Sequence, residues 1–356
     1  MYYEYVGAGS SANTNRYNIT LRLFRECHPV GQAALLPEIV RISIFENGSY
    51  TATASRDVVK SKSINIQLHS PLTCIINKPE VCYDVAYYTF TVELPVIAEE
   101  YIAAYQTCCR SNSILNVQQY TIPGSPMPGE GSTYTCNIPG TNAIKNGVNS
   151  SAVFALKDTV LVCSDKKMNL DFSATDPDGD SLSYSFCAAY NRGASVDANI
   201  VDPSPPPYQT VNYRNGYAGE SPMGSGIEID PVTGKINGKA PAPGVYVVNV
   251  CVAEWRKGAI ISMHHKDFIV RVSNCDFAAA DLEPSYTICD DFKAHFENES
   301  QSAGIHSYYW DFGVSGDTSS VPTPDYTFKD TGVYTVKLVV NRGASLADYT
   351  LAASYM

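Results

Sequence analysis

The chain has 356 residues, more than one compact core usually serves, so two or three domains are expected. Charged residues are only 17%, and Asp plus Glu (36) outnumber Lys plus Arg (25). The resulting net charge of −11 repels phosphate backbones and argues against nucleic acid as a partner.

No apolar run approaches the roughly 18 residues of a membrane helix, so no membrane span is expected. The 24 Gly, 21 Pro and 25 Tyr favour short strands joined by loops. Tyr2-Tyr3-Glu4-Tyr5-Val6 reads as a strand at once, without the basic head and apolar stretch of a signal peptide. The other end stops abruptly at Ala353-Ser354-Tyr355-Met356, so a piece of a longer protein is expected.

The first segment, residues 1–150, carries period-2 alternation in three places: Tyr17, Ile19, Leu21 and Leu23; Val40, Ile42 and Ile44; Tyr88, Phe90, Val92 and Leu94. Turn clusters such as Gly7-Ala8-Gly9-Ser10-Ser11 and Asn47-Gly48-Ser49 separate these strands. From Ile122 to Asn149 the chain is rich in Pro-Gly and Asn-Gly pairs and poor in periodicity, which reads as an ordered loop or linker.

The second segment, 151–273, alternates at Met168, Leu170 and Phe172 and again at Leu182, Tyr184 and Phe186. A polar insertion follows, whose Pro203-Ser204-Pro205-Pro206-Pro207 is barred from a central strand. Strands resume at Ile227, over 244–253 and over 268–272. The third segment, 274–356, alternates at Phe292, Ala294 and Phe296, then Tyr308, Trp310 and Phe312, then Val336, Leu338 and Val340.

Gly244-Val245-Tyr246-Val247-Val248 recurs as Gly332-Val333-Tyr334-Thr335-Val336, an interval of 88 residues (332 − 244) on the scale of an immunoglobulin-like sandwich. The Gly permits a tight turn, and the Tyr opens a strand with its hydroxyl available to a loop carbonyl, as in a tyrosine corner.

Eleven cysteines are scattered singly apart from Cys108-Cys109, with no Cys-x-x-Cys pair and no His pair at zinc-finger spacing. That pattern disfavours structural zinc and fits disulfides in an oxidising compartment. The odd count leaves at least one thiol unpaired within the chain. Cys187–Cys251 and Cys275–Cys289 are preferred as pairs within one segment, and Cys74–Cys82 would close a short loop, although spacing alone leaves the connectivity open. Cys108 and Cys109, adjacent in a strand, point to opposite faces and should take different partners.

Asp176, Asp178 and Asp180 are the best candidates for chemistry. Three carboxylates within five residues repel one another, and a hard cation taking oxygen ligands would relieve that repulsion, so calcium is one reading. A solvated turn whose Asp side chains accept nearby backbone N–H groups is the other. An EF-hand loop is excluded by Ser181 at its sixth position and Cys187 at its twelfth. No His-Glu-x-x-His, nucleophile elbow, phosphate loop or dinucleotide fingerprint is present. The vicinal His264-His265 is expected at an exposed edge or turn, its rings on opposite faces of any strand.

Tyr309-Trp310-Asp311-Phe312-Gly313, then Pro324-Asp325-Tyr326-Thr327-Phe328, then the Gly332 strand resemble a polycystic-kidney-disease (PKD) domain over about 275–350. The family's usual Asp-Gly after the Trp motif is replaced by Val314-Ser315-Gly316-Asp317, implying a longer turn. Ala174 to Tyr184, with Ile229-Asp230-Pro231-Val232-Thr233-Gly234-Lys235-Ile236 and the Gly244 strand, is similar to cadherin-like and dystroglycan-type modules of bacterial surface proteins. Those families often use the acidic turn for calcium. The opening residues, with the strand from Tyr17 to Cys27, resemble the N-terminal region of Bacteroidota secreted proteins of the gliding-motility-associated type.

Together these readings predict an all-β chain of tandem immunoglobulin-like β-sandwich domains in an exported, cell-surface or secreted protein. The resemblance implies a non-catalytic stalk and adhesion segment that meets an extracellular protein or glycan. The runner-up is the targeting portion of a secreted polysaccharide hydrolase or protease whose catalytic domain lies elsewhere. A third option places glycan stacking on Tyr2, Tyr3 and Tyr5.

Overall fold

The computed structural model describes residues 1–27, 35–67, 75–76, 82–108, 110–111, 113–118, 130–144, 148–155, 162–192, 202–277, 280–282, 285–287, 291–299, 304–343 and 348–355. Every helix or strand among them is a β-strand. The chain forms two compact units, Met1–Leu68 with Glu80–Ser273, and His69–Pro79 with Asn274–Met356.

The first nine strands are β1 (Tyr2–Ala8), β2 (Thr14–Glu26), β3 (Ile39–Glu46), β4 (Ala52–Val59), β5 (Lys62–Gln67), β6 (Ile75–Ile76), β7 (Cys82–Pro95), β8 (Tyr101–Thr107) and β9 (Ser132–Ile138). All of them but β6 build two four-stranded sheets, ordered β1-β2-β7-β5 and β4-β3-β8-β9. Alternation decides which faces meet: Ile19 and Leu21 of β2 and Tyr88 and Leu94 of β7 share a buried core with Ile42 and Ile44 of β3 and Ala103 of β8. Each such Ile or Leu contributes about 1.5–3 kcal/mol by leaving water.

β9 corrects the expectation of a loop or linker across 122–149. It pairs with β8 from Tyr101↔Ile138 to Thr107↔Ser132, and Cys136 and Ile138 are buried. Its polar Ser132, Thr133 and Thr135 are buried as well, so the sequence shows no alternation although the strand is closely packed.

The next nine strands are β10 (Val153–Phe154), β11 (Val162–Cys163), β12 (Lys167–Asp171), β13 (Ala174–Thr175), β14 (Ser181–Phe186), β15 (Ile227–Ile229), β16 (Lys235–Lys239), β17 (Gly244–Arg256) and β18 (Ala259–Ser273). One sheet runs β11-β18-β17-β14, a second β12-β16-β15, and β10 pairs with β13. Phe172, just past β12, meets Phe268 of β18 edge-on at 6.0 Å, which joins the two sheets. At the turn into β16 a Cβ on Gly234 (φ +69°) would lie 2.9 Å from the Tyr184 ring, so only glycine fits there.

The first two sequence segments share this unit because a loop of the first is built into the second. The Asn116 amide replaces a strand neighbour for Val247, donating to its carbonyl at 2.7 Å and accepting its N–H at 2.9 Å. The Arg110 guanidinium forms a buried ion pair with Asp267 of β18 and donates to the Gly131 carbonyl at 2.9 Å.

The last eight strands are β19 (Asp276–Phe277), β20 (Ser285–Thr287), β21 (Lys293–His295), β22 (Tyr308–Asp311), β23 (Thr318–Ser319), β24 (Asp325–Thr327), β25 (Val333–Val340) and β26 (Asp348–Tyr355). A β20-β26-β25-β22-β23 sheet and a β21-β24 pair enclose Phe296, Trp310, Phe312, Phe328, Val336 and Leu338. β6 belongs to this second unit, since it pairs with β19. Trp310 is fully buried and satisfies its indole N–H on the Val321 carbonyl at 2.9 Å. Phe292 departs from the expected alternation. It is 39% exposed with φ 46°, so β21 begins only after it.

Both repeated Gly-x-Tyr motifs close the same bond. Tyr246 donates to the Ala242 carbonyl at 2.8 Å, and Tyr334 to the Asp330 carbonyl at 3.1 Å, each four residues upstream.

Candidate functional site at the Asp176 turn

The acidic turn links β13 to β14. Asp176 Oδ1 accepts the backbone N–H groups of Asp178 and Asp180, both at 2.9 Å, and Gly179 takes the positive φ (+81°) that the turn requires. The three carboxylates thereby approach within 4.8 Å of one another. Burial, joined by the charges of Asp180 and Asp178, raises the Asp176 pKa above its ordinary value.

A side chain from β17 relieves much of this repulsion. Arg256 meets Asp180 with two parallel bonds (2.8 and 2.6 Å) and passes 3.8 Å from Asp178. The same guanidinium donates to the Val148 carbonyl at 3.0 Å and to Asn149 Oδ1 at 2.7 Å. Asp178 accepts the Ser150 N–H. The turn therefore grips the segment that enters the second sandwich.

From the other side that segment is held by β1. Tyr3 N–H donates to Ser151 Oγ at 2.9 Å, Ser151 N–H returns to the Tyr3 carbonyl at 2.9 Å, and Tyr5 N–H donates to Ser150 Oγ at 3.1 Å. Glu254 lies beneath, completely buried, accepting the Ala152 N–H and Asn149 Nδ2 (2.9 Å). Burial, reinforced by the Asp176 and Asp180 charges, pushes the Glu254 carboxyl up to about 7. Sequence reasoning found the three Asp but missed Asn149, Glu254 and Arg256. The available signal was Glu254 in the apolar run Val250-Cys251-Val252-Ala253, since a charge within a buried strand needs named partners.

One oxygen at this site has no partner: Asp176 Oδ2 is buried without a hydrogen bond. That atom fits an oxygen-seeking cation. Asp180 and Asp178 are already served by Arg256 and Ser150, so an ion there would draw its remaining ligands from carbonyls or water.

Cys187 and Cys251 are bonded to each other, with Cα atoms 5.9 Å apart. The expected Cys74–Cys82 pair is corrected: Cys82 is joined to Cys27. The β2–β7 register explains this, because Glu26 faces Tyr83 and the next step sets Cys27 against Cys82 at a Cα distance of 5.5 Å. Cys108, Cys163 and Cys275 are also disulfide-bonded. Cys74, Cys109 and Cys289 lie outside the described residues, and with them the Cys275–Cys289 expectation. Cys136 is the free cysteine among the described residues; it is buried in the first core, where desolvation pushes its thiol up to about 12.

His264 and His265 sit mid-strand in β18 rather than at an exposed edge or turn. Their rings do take opposite faces. His264 is 4% exposed and lies against Phe154, whereas His265 packs between Tyr190 (4.9 Å, stacked) and the Cys251 sulfur (3.4 Å). Cys187, Cys251 and His265 converge, but the two sulfurs are spent on each other, leaving no thiolate for a metal. For the glycan option on the opening tyrosines the structure removes Tyr3 alone, since Tyr2 and Tyr5 are half-buried. Tyr3 is 1% exposed, Tyr5 packs edge-on to Tyr17, and Arg22 lies over the Tyr2 ring at 5.0 Å.

Stacked strands, two-sheet cores and disulfides define a protein of tandem immunoglobulin-like β-sandwich modules. Within it, residues 279–354 match the PKD domain family. Among solved structures, the N-terminal four Ig domains of Dscam1 isoform 1.9 align over 100% of this chain and 73% of theirs, at 10% identity and a TM-score of 0.20. The two tandem V-type regions of VCBP3, a v-region-containing chitin binding protein, align over 58% of this chain and 99% of theirs, at 9% identity and a TM-score of 0.19. No curated protein matches the chain. Among the described residues no helix is long and apolar enough to cross a membrane.

Proposed function

We propose that the chain is a non-catalytic extracellular segment of a cell-surface or secreted protein, working as a semi-rigid spacer and interaction module. The observation that carries this reading is the clamped connection at 149–152, bonded on one side to Tyr3 and Tyr5 and on the other to Asp178, Glu254 and Arg256. Bonds on both sides of a connection limit swivelling, as a spacer requires. The PKD match and the disulfides support a place outside the cell.

The division into modules at 1–150, 151–273 and 274–356 is part of this reading. So are a cadherin-like middle module and a parent protein of the gliding-motility-associated type. The partner is an extracellular protein or glycan. Calcium at Asp176, Asp178 and Asp180 also belongs to the proposal, supported by the unpartnered Asp176 Oδ2. If it binds, chelation lowers the melting midpoint and added calcium restores it, whereas an unchanged midpoint removes the ion from the reading.

The test of the whole is made on intact producing cells. Antibody raised against the chain labels them without permeabilisation, and purified chain competes with their attachment. A chain found only inside cells, with its thiols reduced, overturns the reading.

A further inference from the structure

A cavity of about 470 Å³ opens beside the first sandwich, and Asp176, Asp178 and Asp180 are not among its walls. That volume falls within the about 300–1,000 Å³ range of small-molecule clefts. Its walls come from the β3–β4 turn, the start of β8, β9, the proline-rich insertion and β18, positions far apart in sequence that the fold brings together.

Two kinds of surface meet in it. The first is aromatic: Tyr190 and Tyr208 lie 5.7 Å apart at 56°, and Tyr50 stands at the mouth, 84% exposed. Behind Tyr190 the ring of His265 stacks at 4.9 Å and rests on the Cys251 sulfur, so this wall is braced by a disulfide. The second is polar and held in place. Glu100 accepts Asn47 Nδ2 at 3.2 Å on one carboxylate oxygen and Asn137 Nδ2 at 3.0 Å on the other. Asn47 N–H is bonded to the Glu100 carbonyl at 2.9 Å, which anchors the turn carrying Asn47. A carboxylate offers about four acceptor positions, so Glu100 keeps capacity for ligand hydroxyls after both amides are bound. The Tyr208 hydroxyl is buried with no hydrogen-bond partner.

The electrostatics narrow the ligand. Among the described residues no Lys or Arg lines the cavity, and burial holds the His265 pKa down to about 4, so that ring is neutral at physiological pH. With Glu100 as its formal charge, the site repels anions. A wholly apolar ligand would strip water from Glu100, Asn47 and Asn137 without replacing their bonds. A molecule with C–H faces and a rim of hydroxyls matches both surfaces at once.

We propose that this cavity binds a neutral oligosaccharide, one sugar ring lying on Tyr50 and its hydroxyls bonding to Glu100, Asn47 and Asn137. This deepens the reading of the chain as an extracellular interaction module by naming its ligand class. Tyr50 presents its ring to solvent, whereas Glu100, Asn47 and Asn137 are bonded to one another before the ligand arrives, which limits the ordering cost of binding.

The test is titration calorimetry on the purified full chain. The probes are neutral hexasaccharides of β-glucan, N-acetylglucosamine and α-mannan, run beside hexagalacturonate and tetramethylammonium. At least one neutral hexasaccharide binds; Tyr50→Ala and Glu100→Gln each weaken it about tenfold or more, and Tyr2→Ala, outside the cavity, leaves it unchanged. Tyr50 is too exposed for its loss to disturb the core, and Tyr208→Phe, which removes one hydroxyl only, gives a second variant that keeps the fold. No binding of any neutral hexasaccharide at millimolar concentration overturns the proposal. So does binding indifferent to Tyr50→Ala and Glu100→Gln, or a preference for hexagalacturonate or tetramethylammonium. Saccharide binding by a chain confined inside cells would overturn the extracellular reading alone, and a surface-exposed chain that binds no saccharide would overturn the cavity alone.

Discussion

Arg256 meets Asp180 side-on, Nε to Oδ1 at 2.8 Å and Nη2 to Oδ2 at 2.6 Å, with the Asp180 side chain only 6% exposed. Because the same guanidinium also holds Val148 and Asn149, removing it breaks the acidic turn and the connection together. Arg256→Ala is expected to cost about 2–3 kcal/mol in urea unfolding, since Asp180 is left nearly buried without its partner. Arg256→Lys should recover little, because an ammonium cannot reproduce the two parallel bonds. A loss below about 0.5 kcal/mol would show that the clamp contributes nothing.

Acid acts on this protein in two opposing ways. Glu254, raised to about 7 in the folded chain, contributes stability that is fully present below about 4.5 and lost as pH rises through 7. His264 and His265 are depressed by burial, so their contribution is present above 6.5 and lost as pH falls, toward about 4 for His265. Between pH 7 and 4.5 the stability of wild type relative to Glu254→Gln should therefore grow, by roughly 3 kcal/mol at most. Over the same interval wild type should lose ground to His264→Phe. Unfolding midpoints at half-unit pH steps check both, and parallel curves for wild type and either variant would contradict the assignment of that group.

The Cys27–Cys82 bond closes a loop with a sequence separation of 55 residues. Loop-closure entropy puts its contribution near 4 kcal/mol, so the Cys27→Ser, Cys82→Ser double variant should unfold at markedly lower denaturant. Peptide mapping without reduction should recover Cys27 linked to Cys82 and Cys187 linked to Cys251. A Cys74–Cys82 peptide would refute the β2–β7 register.

The two tyrosine bonds should behave as independent copies of one device. Tyr246→Phe leaves the Ala242 carbonyl without its donor and is expected to cost about 1 kcal/mol. Tyr334→Phe should cost less, because its bond to Asp330 is exposed and water can take the hydroxyl's place. The two losses should add in the double variant, as the sites lie in separate units. Marked non-additivity would refute that independence.

What the amino-acid order determined by itself is local and periodic. Alternation at Tyr17 to Leu23, at Val40 to Ile44 and at Val336 to Val340 identifies strands and their inner faces, because side chains on a pleated strand can only alternate. The Gly-x-Tyr repeat likewise exposed its own bond, since donor and acceptor lie four residues apart on one chain. Asp176, Asp178 and Asp180 were legible for the same reason. Tertiary structure alone decided the rest. Arg256 opposite Asp180, Glu254 under Asn149 and Cys27 beside Cys82 bring together residues 55 to 105 positions apart, and β9 is a strand because β8 supplies its partner. Such pairings depend on strand register and sheet order. Those are fixed when whole faces are buried together, and no short stretch of sequence carries them.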